Sequence, residues 1–262
     1  GLFIVPLNAF IQRYSPEGRL GEILACQNFL SFLGVASAIG ILKILTSMLG
    51  FSAAQSFAAA GVFTAVLAVG AVVVLPDFLV RLVMVIVTRL FYRLNIKGAE
   101  NVPASGPALI VSNHVTWVDS FLISAAVERR IRFMMDRGIY GSSWLKPVFR
   151  WMRVIPISSS DSRRRIVESL NSAAEALDDG DLVCIFPEGS ITRNGNMRAF
   201  KPGMEKIMRG RDCPVVPVFI GGAWGSVFSY YHGKLKFRLP RSLPYDVSVV
   251  FGSPMTGSVS SA

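Results

Sequence analysis

Two long apolar runs constrain what this chain can fold into more than any other feature of its sequence. They cover about residues 23–45, interrupted only by Lys43, and about residues 53–75. Each run has roughly the 20 residues that a helix needs to cross the hydrocarbon core of a bilayer. The first 76 residues contain only five charged side chains: Arg13, Glu17, Arg19, Glu22 and Lys43. We therefore predict that residues 1–76 form a transmembrane segment.

The basic residues around these runs predict their orientation. The connection at residues 46–52 contains no Lys or Arg, whereas both outer flanks are basic. The flanking residues are Arg13 and Arg19 before the first run, and Arg81, Arg89, Arg93 and Lys97 after the second. Lys and Arg accumulate in the cytoplasmic loops of membrane proteins. We expect a multi-pass protein of the inner (cytoplasmic) membrane whose residues after 76 face the cytoplasm.

The composition of the whole chain limits the classes of partner that it is expected to bind. The formal net charge is +10, which favours anionic partners such as lipid headgroups, nucleic acids or acidic proteins. The sequence has no zinc-finger spacing and no aromatic-basic RNA-binding stretch. The three cysteines lie far apart, without a spacing typical of metal ligands. We expect membrane lipid as a partner and no nucleic acid.

Residues 77–96 combine apolar character with regularly placed polar groups. Arg81 and Arg89 are eight residues apart and Thr88 lies beside Arg89, so helical spacing puts these groups on one face. We predict an interfacial amphipathic helix followed by a linker. The alternative is a short third span, but about 15 residues with two arginines fit a bilayer core poorly.

Residues 97–256 show short apolar runs that alternate with amphipathic helical patterns. The predicted strands cover residues 108–112, 132–135, 154–157, 182–186, 215–220, 235–239 and 247–251. Such alternation predicts an α/β domain with a mostly parallel sheet flanked by helices, here preceded by the transmembrane helices. Residues 257–262 are small and polar, and we interpret them as a linker.

The first group of candidate catalytic residues follows the predicted strand that ends at Ser112. His114 comes next in the turn, and Asp119 lies five residues further on, where a helix is predicted to begin. Histidine can take a proton from a hydroxyl near neutral pH, and a carboxylate on its other ring nitrogen fixes the tautomer. The alternative is a helix-capping Asp beside an incidental loop His.

The second group follows the predicted strand at residues 182–186. Gly189 would let a ligand approach the backbone closely, and Arg193 offers a planar fork for a phosphate. Glu188 could bond a hydroxyl or position Arg193. The alternative is an ordinary polar turn after a strand.

With a third motif, these groups resemble the glycerol-phosphate and lysophospholipid acyltransferase family. The resemblance is carried, in order, by Asn113-His114 with Asp119, by Phe186-Pro187-Glu188-Gly189, and by Val216-Pro217-Val218. It covers roughly residues 93–253. The ordered set is far more specific than any one motif, and it marks residues 97–256 as an acyltransferase domain.

The resemblance implies a reaction and a role for each residue. His114 would be the general base, oriented by Asp119, for attack of a glycerol hydroxyl on an acyl thioester. The acceptor would be a lysophospholipid or lysophosphatidate, and the donor acyl-carrier protein or acyl-coenzyme A, without metal or bound cofactor. The substrate-binding residues would be Glu188, Gly189, Arg193, Asn113 and Pro217, with Pro217 shaping the wall of the site.

The sequence departs from the common family pattern after Gly189. Many members continue with Thr-Arg-Ser, whereas here Ser190-Ile191-Thr192 precedes Arg193, which leaves the role of this arginine open. The Ile-Thr pair looks more like the bifunctional 2-acylglycerophosphoethanolamine acyltransferase/acyl-carrier-protein synthetases. Residues 1–9 and 27–28 look like the last helices of a major-facilitator lysophospholipid transporter, so the chain is expected to be a piece of a larger protein.

Other functions stay open at this point. Residues 1–76 would be a plain membrane anchor if the transporter resemblance is incidental. The chain would be a non-catalytic, lipid-binding transporter fragment if the domain only binds lipid. A hydrolase with the same His and Asp is less favoured, because the sequence has no Gly-x-Ser-x-Gly nucleophile turn.

Overall fold

The protein divides into two compact units. The structure, a computed structural model, describes residues 11, 15–16, 18–74, 76–141, 149–150, 152–233 and 243–256. The units are Gly1–Leu75 and Pro76–Ala262. The predicted helix near residues 144–153 and the predicted strand at 235–239 fall largely or wholly outside the described residues, as do residues 257–262.

The first unit contains the two predicted apolar helices, α1 (Leu20–Ser47) and α2 (Ala53–Val74). The backbone N–H of Ser52 donates to Gln55 Oε1 at 2.8 Å and the backbone N–H of Gln55 donates to Ser52 Oγ at 3.3 Å, a reciprocal pair that caps the start of α2. Large apolar side chains point outward, and Phe57 is 80% exposed. Both helices are long and apolar enough to cross a membrane. Outward apolar surface on this scale suggests association with lipid.

The second unit is built around one sheet. Its helices are α3 (Pro76–Phe91), α4 (Asp119–Ala126), α5 (Arg137–Tyr140), α6 (Arg163–Asp178) and α7 (Gly203–Met208). Its strands are β1 (Tyr92–Lys97), β2 (Ala108–Ser112), β3 (Ile131–Asp136), β4 (Ile155–Ile157), β5 (Leu182–Ile185), β6 (Val215–Gly221) and β7 (Tyr245–Phe251). Short 3₁₀ turns cover Ala99–Asn101 and Tyr230–His232.

The sheet is mostly parallel and flanked by helices, which confirms this part of the predicted fold class. Its strand order is β1-β7-β6-β2-β5-β3-β4. All neighbours pair in parallel except β6 and β7. Val111 of β2 is opposite Ile185 of β5 and Pro217 of β6, so these three strands end at the same edge. We call this side the carboxyl edge of the sheet.

Helices cover both faces of the central strands. In β2, Ile110 packs into a cluster with Leu122 of α4, whereas Leu109 packs on the other side with Leu177 of α6. This follows from the period of two along a strand, which sends successive side chains to opposite faces. Both layers are apolar, so β2 and β5 are fixed from two sides and hold the turns that follow them.

The segment assigned to an interfacial helix and linker, residues 77–96, also contains the first strand of the sheet. Helix α3 is followed at once by β1, which pairs in parallel with β7. The strand alternates buried Tyr92 and half-buried Leu94 with exposed Arg93 and Asn95. This alternating stretch is short and its exposed side chains are polar or charged. It also follows the apolar helix α3 without a break in the sequence. The sheet therefore begins at Tyr92, ahead of the boundary at residue 97.

Candidate active site

The carboxyl edge brings the two groups of predicted site residues together. His114 follows β2 by two residues and Glu188 follows β5 by three, and these strands are adjacent and parallel. The backbone N–H of Thr192 donates to the carbonyl of His114 at 2.9 Å, so the two turns are joined directly. We call residues 113–119 the first turn and residues 186–201 the second turn.

His114 and Asp119 are in direct contact. His114 Nδ1 lies 2.8 Å from Asp119 Oδ2, and the Asp119 side chain is completely buried. A carboxylate only accepts hydrogen bonds, so Nδ1 carries the proton and Nε2 keeps its lone pair. The same carboxylate accepts from the backbone N–H of Val115 at 2.6 Å and from the Thr116 hydroxyl at 2.6 Å. Asp119 thus fixes the turn and the tautomer together.

The remaining contacts of His114 fix the orientation of its ring. One ring face stacks on Phe186, with centroids 4.1 Å apart and planes 17° apart. The side chain is 20% exposed, so it can be reached from outside. No described residue hydrogen-bonds Nε2. Nε2 is therefore the ring nitrogen left for a substrate.

Glu188 links the two turns through backbone groups. Its Oε1 accepts the N–H of His114 and its Oε2 accepts the N–H of Arg198, each at 2.9 Å. The residue is only 2% exposed. Both carboxylate oxygens are thus occupied by the protein itself, in a position that holds the His114 backbone in place.

Gly189 is favoured by its backbone conformation and leaves room for a neighbouring side chain. Its φ of 68° lies in the left-handed region that favours glycine. A Cβ at this position would lie 2.6 Å from Lys201 Nζ and 2.8 Å from its Cε. Glycine therefore lets the Lys201 side chain cross directly over the second turn.

The sequence analysis missed two cations in the second turn, Arg198 and Lys201. The Arg198 guanidinium donates to the hydroxyl of Ser190, and the Lys201 backbone N–H donates to the carbonyl of Pro187. Among the described residues, no carboxylate forms an ion pair with either charged group. No spacing rule pointed to them, because they approach Gly189 only after the chain has folded back.

Arg193 has a different environment from these two cations. Its guanidinium carbon lies 4.6 Å from the centroid of the Tyr230 ring, which is a cation–π contact. Tyr230 in turn lies 6.0 Å from Trp117 of the first turn. Arg193 therefore stacks on Tyr230, whose other aromatic neighbour, Trp117, lies in the same turn as His114.

Asn113 and Pro217 anchor the first turn to β6. The Asn113 side chain donates to the Ile220 carbonyl at 3.0 Å and accepts the Ile220 N–H at 2.7 Å. Asn113 is buried, whereas Pro217 is half-buried and lies opposite Val111 in the sheet. The backbone N–H of Gly252 donates to the Pro217 carbonyl at 2.8 Å. Both residues lie in the framework next to His114.

The thiol in the neighbouring strand is not suited to nucleophilic chemistry. Cys184 of β5 is completely buried. Burial raises the pKa of the Cys184 thiol well above its ordinary value, and the charge of Asp119 raises this pKa further. A thiol that stays protonated is a poor nucleophile. Cys184 is therefore not a candidate nucleophile beside His114 and Asp119.

Comparison with known proteins shows which family this segment resembles. The family model described as Acyltransferase matches residues 93–221, the segment that contains both turns and β1 to β6. This segment is therefore similar to the Acyltransferase family, which supports the resemblance stated from the sequence motifs. The transporter fusion and the bifunctional branch stay predictions.

Relatives of this segment are named as 1-acyl-sn-glycerol-3-phosphate acyltransferases. One is a chloroplastic 1-acyl-sn-glycerol-3-phosphate acyltransferase of Arabidopsis thaliana, 32% identical over 50% of this chain and 37% of its own length. Another, from Brassica napus, is 30% identical over 64% of this chain and 46% of its own. The chain thus spans less than half the length of either plant relative.

A solved structure supports the same fold. It is the 1-acyl-sn-glycerophosphate acyltransferase PlsC of Thermotoga maritima, with a TM-score of 0.51 and 26% sequence identity. The match covers 64% of this chain and 63% of that protein.

Proposed function

We propose that this chain is a glycerophospholipid acyltransferase. It moves a fatty acyl group from a thioester donor to the free hydroxyl of a lysophospholipid or lysophosphatidate. The observation that carries the proposal is the 2.8 Å contact between His114 Nδ1 and the buried Asp119 carboxylate, beside a turn with unpaired cations. The names of the relatives support the acceptor class.

The proposed chemistry is a direct transfer. Nε2 of His114 takes the proton of the acceptor hydroxyl while its oxygen attacks the thioester carbonyl carbon. The C–O bond forms, the C–S bond breaks, and the leaving thiolate takes the proton back from the imidazolium. Asp119 stabilises that imidazolium through Nδ1. No acyl-enzyme is needed, and the raised pKa of Cys184 agrees with this.

We assign the acceptor phosphate to Arg198 and Lys201. Both charged groups lie at Gly189 and Ser190, and neither has a described carboxylate partner. Cations with several N–H donors suit phosphate oxygens. In this proposal Glu188, Asn113 and Pro217 position the site through the backbone, and Arg193 borders it from the Tyr230 side.

The substrate class gives the first unit a role. Lysophospholipids and their products reside in membranes, and α1 and α2 are apolar enough to cross one. We propose that they anchor the chain in the inner membrane with the acyltransferase domain on the cytoplasmic side, and that α3 lies at the membrane surface. The resemblance to transporter helices supports a fusion in which lysolipid import and reacylation are linked.

The test is acyl transfer from a labelled acyl thioester to a panel of lysophospholipids and lysophosphatidate, with the chain in membranes. Replacing His114 by Ala should lower kcat by about 100- to 10,000-fold, the usual contribution of a general base. His232, the only other histidine, provides the matched control His232→Ala. A wild type that binds lysolipid but transfers no acyl group from either donor would refute the proposal in favour of a lipid-binding transporter fragment.

A further inference from the structure

The buried hydroxyl of Thr116 contacts Asp119 but has no step in the proposed reaction. Thr116 lies in the first turn and is completely buried. Its Oγ1 lies 2.6 Å from Asp119 Oδ1, and because a carboxylate only accepts hydrogen bonds, the hydroxyl donates. The backbone N–H of Val118 donates to the same Oγ1 at 3.3 Å. The hydroxyl proton therefore points at the carboxylate that holds His114.

The donors to Asp119 are divided unequally between its two oxygens. Oδ2 accepts from His114 Nδ1 at 2.8 Å and from the backbone N–H of Val115 at 2.6 Å. Among the described residues, Oδ1 accepts from Thr116 alone, through the hydroxyl and through the backbone N–H at 3.1 Å. That backbone N–H is shared with Oδ2, which it contacts at 3.0 Å. The Thr116 hydroxyl is therefore the one described donor that holds Oδ1 without also holding Oδ2.

Contacts from outside the first turn fix the position of Thr116. Its backbone forms an isolated antiparallel bridge with Ser229, and the next N–H, that of Trp117, donates to the carbonyl of Phe228 at 3.2 Å. Both partners follow β6 and are far from the first turn in the sequence. A β-branched side chain is also stiff at χ1. The Thr116 hydroxyl therefore keeps a fixed direction towards Asp119.

We propose that Thr116 is a positioning residue, which sets the rotation of the Asp119 carboxylate so that Oδ2 faces Nδ1 of His114. The inference rests on the proposed role of His114 as general base. The terminal torsion of an aspartate is broad and roughly two-fold, so it needs a contact that fixes it. With Oδ1 held by the hydroxyl, Oδ2 stays on the imidazole and the ring proton stays on Nδ1. Without the hydroxyl, the neutral imidazole can place this proton on Nε2, which then cannot accept the proton of the substrate hydroxyl.

The experiment replaces Thr116 by Val, which keeps the branched shape of the side chain and removes the hydroxyl. We expect kcat to fall by about 10- to 100-fold, the loss expected for one hydrogen bond to a charged group, with KM for the acceptor unchanged. Thr116→Ser should recover most of the activity and Thr116→Ala should not, and this pair replaces the Val variant if that variant does not fold. The matched control is Ser169→Ala in α6, which removes a buried hydroxyl that donates to the Pro156 carbonyl at 2.8 Å. It should lower Tm and leave kcat at the wild-type value.

A spectroscopic readout tests the tautomer without catalysis. The chain has only two histidines, so labelling with nitrogen-15 histidine reports on His114, with His232 as the internal reference. The spectra are recorded with the full chain in lipid bilayers at about pH 9, where an ordinary imidazole is neutral. Wild type and Thr116→Ser should show the His114 proton on Nδ1. Thr116→Val and Thr116→Ala should show a measurable fraction with the proton on Nε2.

A wild-type kcat in Thr116→Val, or a lower kcat with an unchanged His114 tautomer, would overturn the positioning role. An equal loss of kcat in Ser169→Ala would overturn it as well, because any buried hydrogen bond would then have the same effect. If wild type transfers no acyl group, the proposed function fails, while the nitrogen-15 signals still decide whether Thr116 sets the tautomer of His114.

Discussion

The two turns that follow β2 and β5 are stabilised in different ways. The first turn is closed by the Asp119 carboxylate, whose partners all lie within five residues along the chain. The second turn is 16 residues long and is held by contacts across distance in sequence, such as that of Glu188 with His114. Contacts between near neighbours hold the His114 imidazole at hydrogen-bond distance from Asp119. The longer second turn instead brings together cations from several positions in the sequence.

The two turns also differ in how their charges are satisfied. Asp119 is completely buried, and its oxygens are fully used by the first turn. Arg198 and Lys201 of the second turn have no described carboxylate partner. A satisfied buried charge gives a rigid arrangement, whereas an unsatisfied surface charge is available to a ligand. This difference agrees with the proposed function, in which the first turn carries the general base and the second turn binds the acceptor phosphate.

The largest effect should come from breaking the first turn at Asp119. In Asp119→Asn, an amide nitrogen can face Nδ1 and favour the tautomer with its proton on Nε2, which removes the base. We expect kcat to fall by about 1,000- to 10,000-fold with little change in KM for the acceptor. Asp212→Asn, at an exposed position, is the control. A kcat within about tenfold of wild type would show that Asp119 does not set the tautomer.

The next effect should come from Glu188, which joins the turns. In Glu188→Gln, one of the two backbone N–H groups would face an amide N–H₂, and an unsatisfied buried donor costs about 1–3 kcal/mol. We expect a lower Tm together with changes in both kcat and KM. Glu100→Gln, an exposed position, should change none of these. A higher acceptor KM at unchanged Tm would instead mean that Glu188 contacts the substrate.

The smallest effects should come from replacing single cations of the second turn. Lys201→Met keeps the length of the side chain over Gly189 but removes the charge, and should raise the acceptor KM by about 10- to 100-fold. Arg193→Met removes a cation–π contact with Tyr230, worth about 0.5–1 kcal/mol at an exposed site, and should raise KM by only about two- to fivefold. Competitive inhibition by inorganic phosphate should also be weakened more by Lys201→Met than by Arg193→Met. The reverse order would move the phosphate site to Arg193.

The sequence predicted most of the sheet because its strands are buried on both faces. The strand predicted at residues 108–112 matches β2 residue for residue, and the others agree to within two residues where they are described. The exception is β1, where an exposed, charged outer face hid a strand of six residues. Its assignment depends on pairing with β7, which lies about 150 residues later in the chain.

In the candidate site, too, contacts between near neighbours in the sequence could be predicted, whereas contacts between distant residues could not. The spacing of His114 and Asp119 allowed a contact, because five residues across a turn can bring the two side chains together, and the structure shows this contact. The exchange of hydrogen bonds between Asn113 and Ile220 joins residues 107 positions apart, and no local pattern predicts it. The same holds for Lys201 beside Gly189, which depends on how the second turn folds back.

By itself, the sequence determined the apolar helices, the mostly parallel sheet and the paired positions of His114 and Asp119. These features depend on burial, strand period and short chain separations, all of which are local properties. Only the tertiary structure decided that Glu188 supports His114 through the backbone and that Arg198 and Lys201 are the unpaired cations of the second turn. The physical reason is that satisfaction of a charge depends on every group around it, and those groups come from distant parts of the chain.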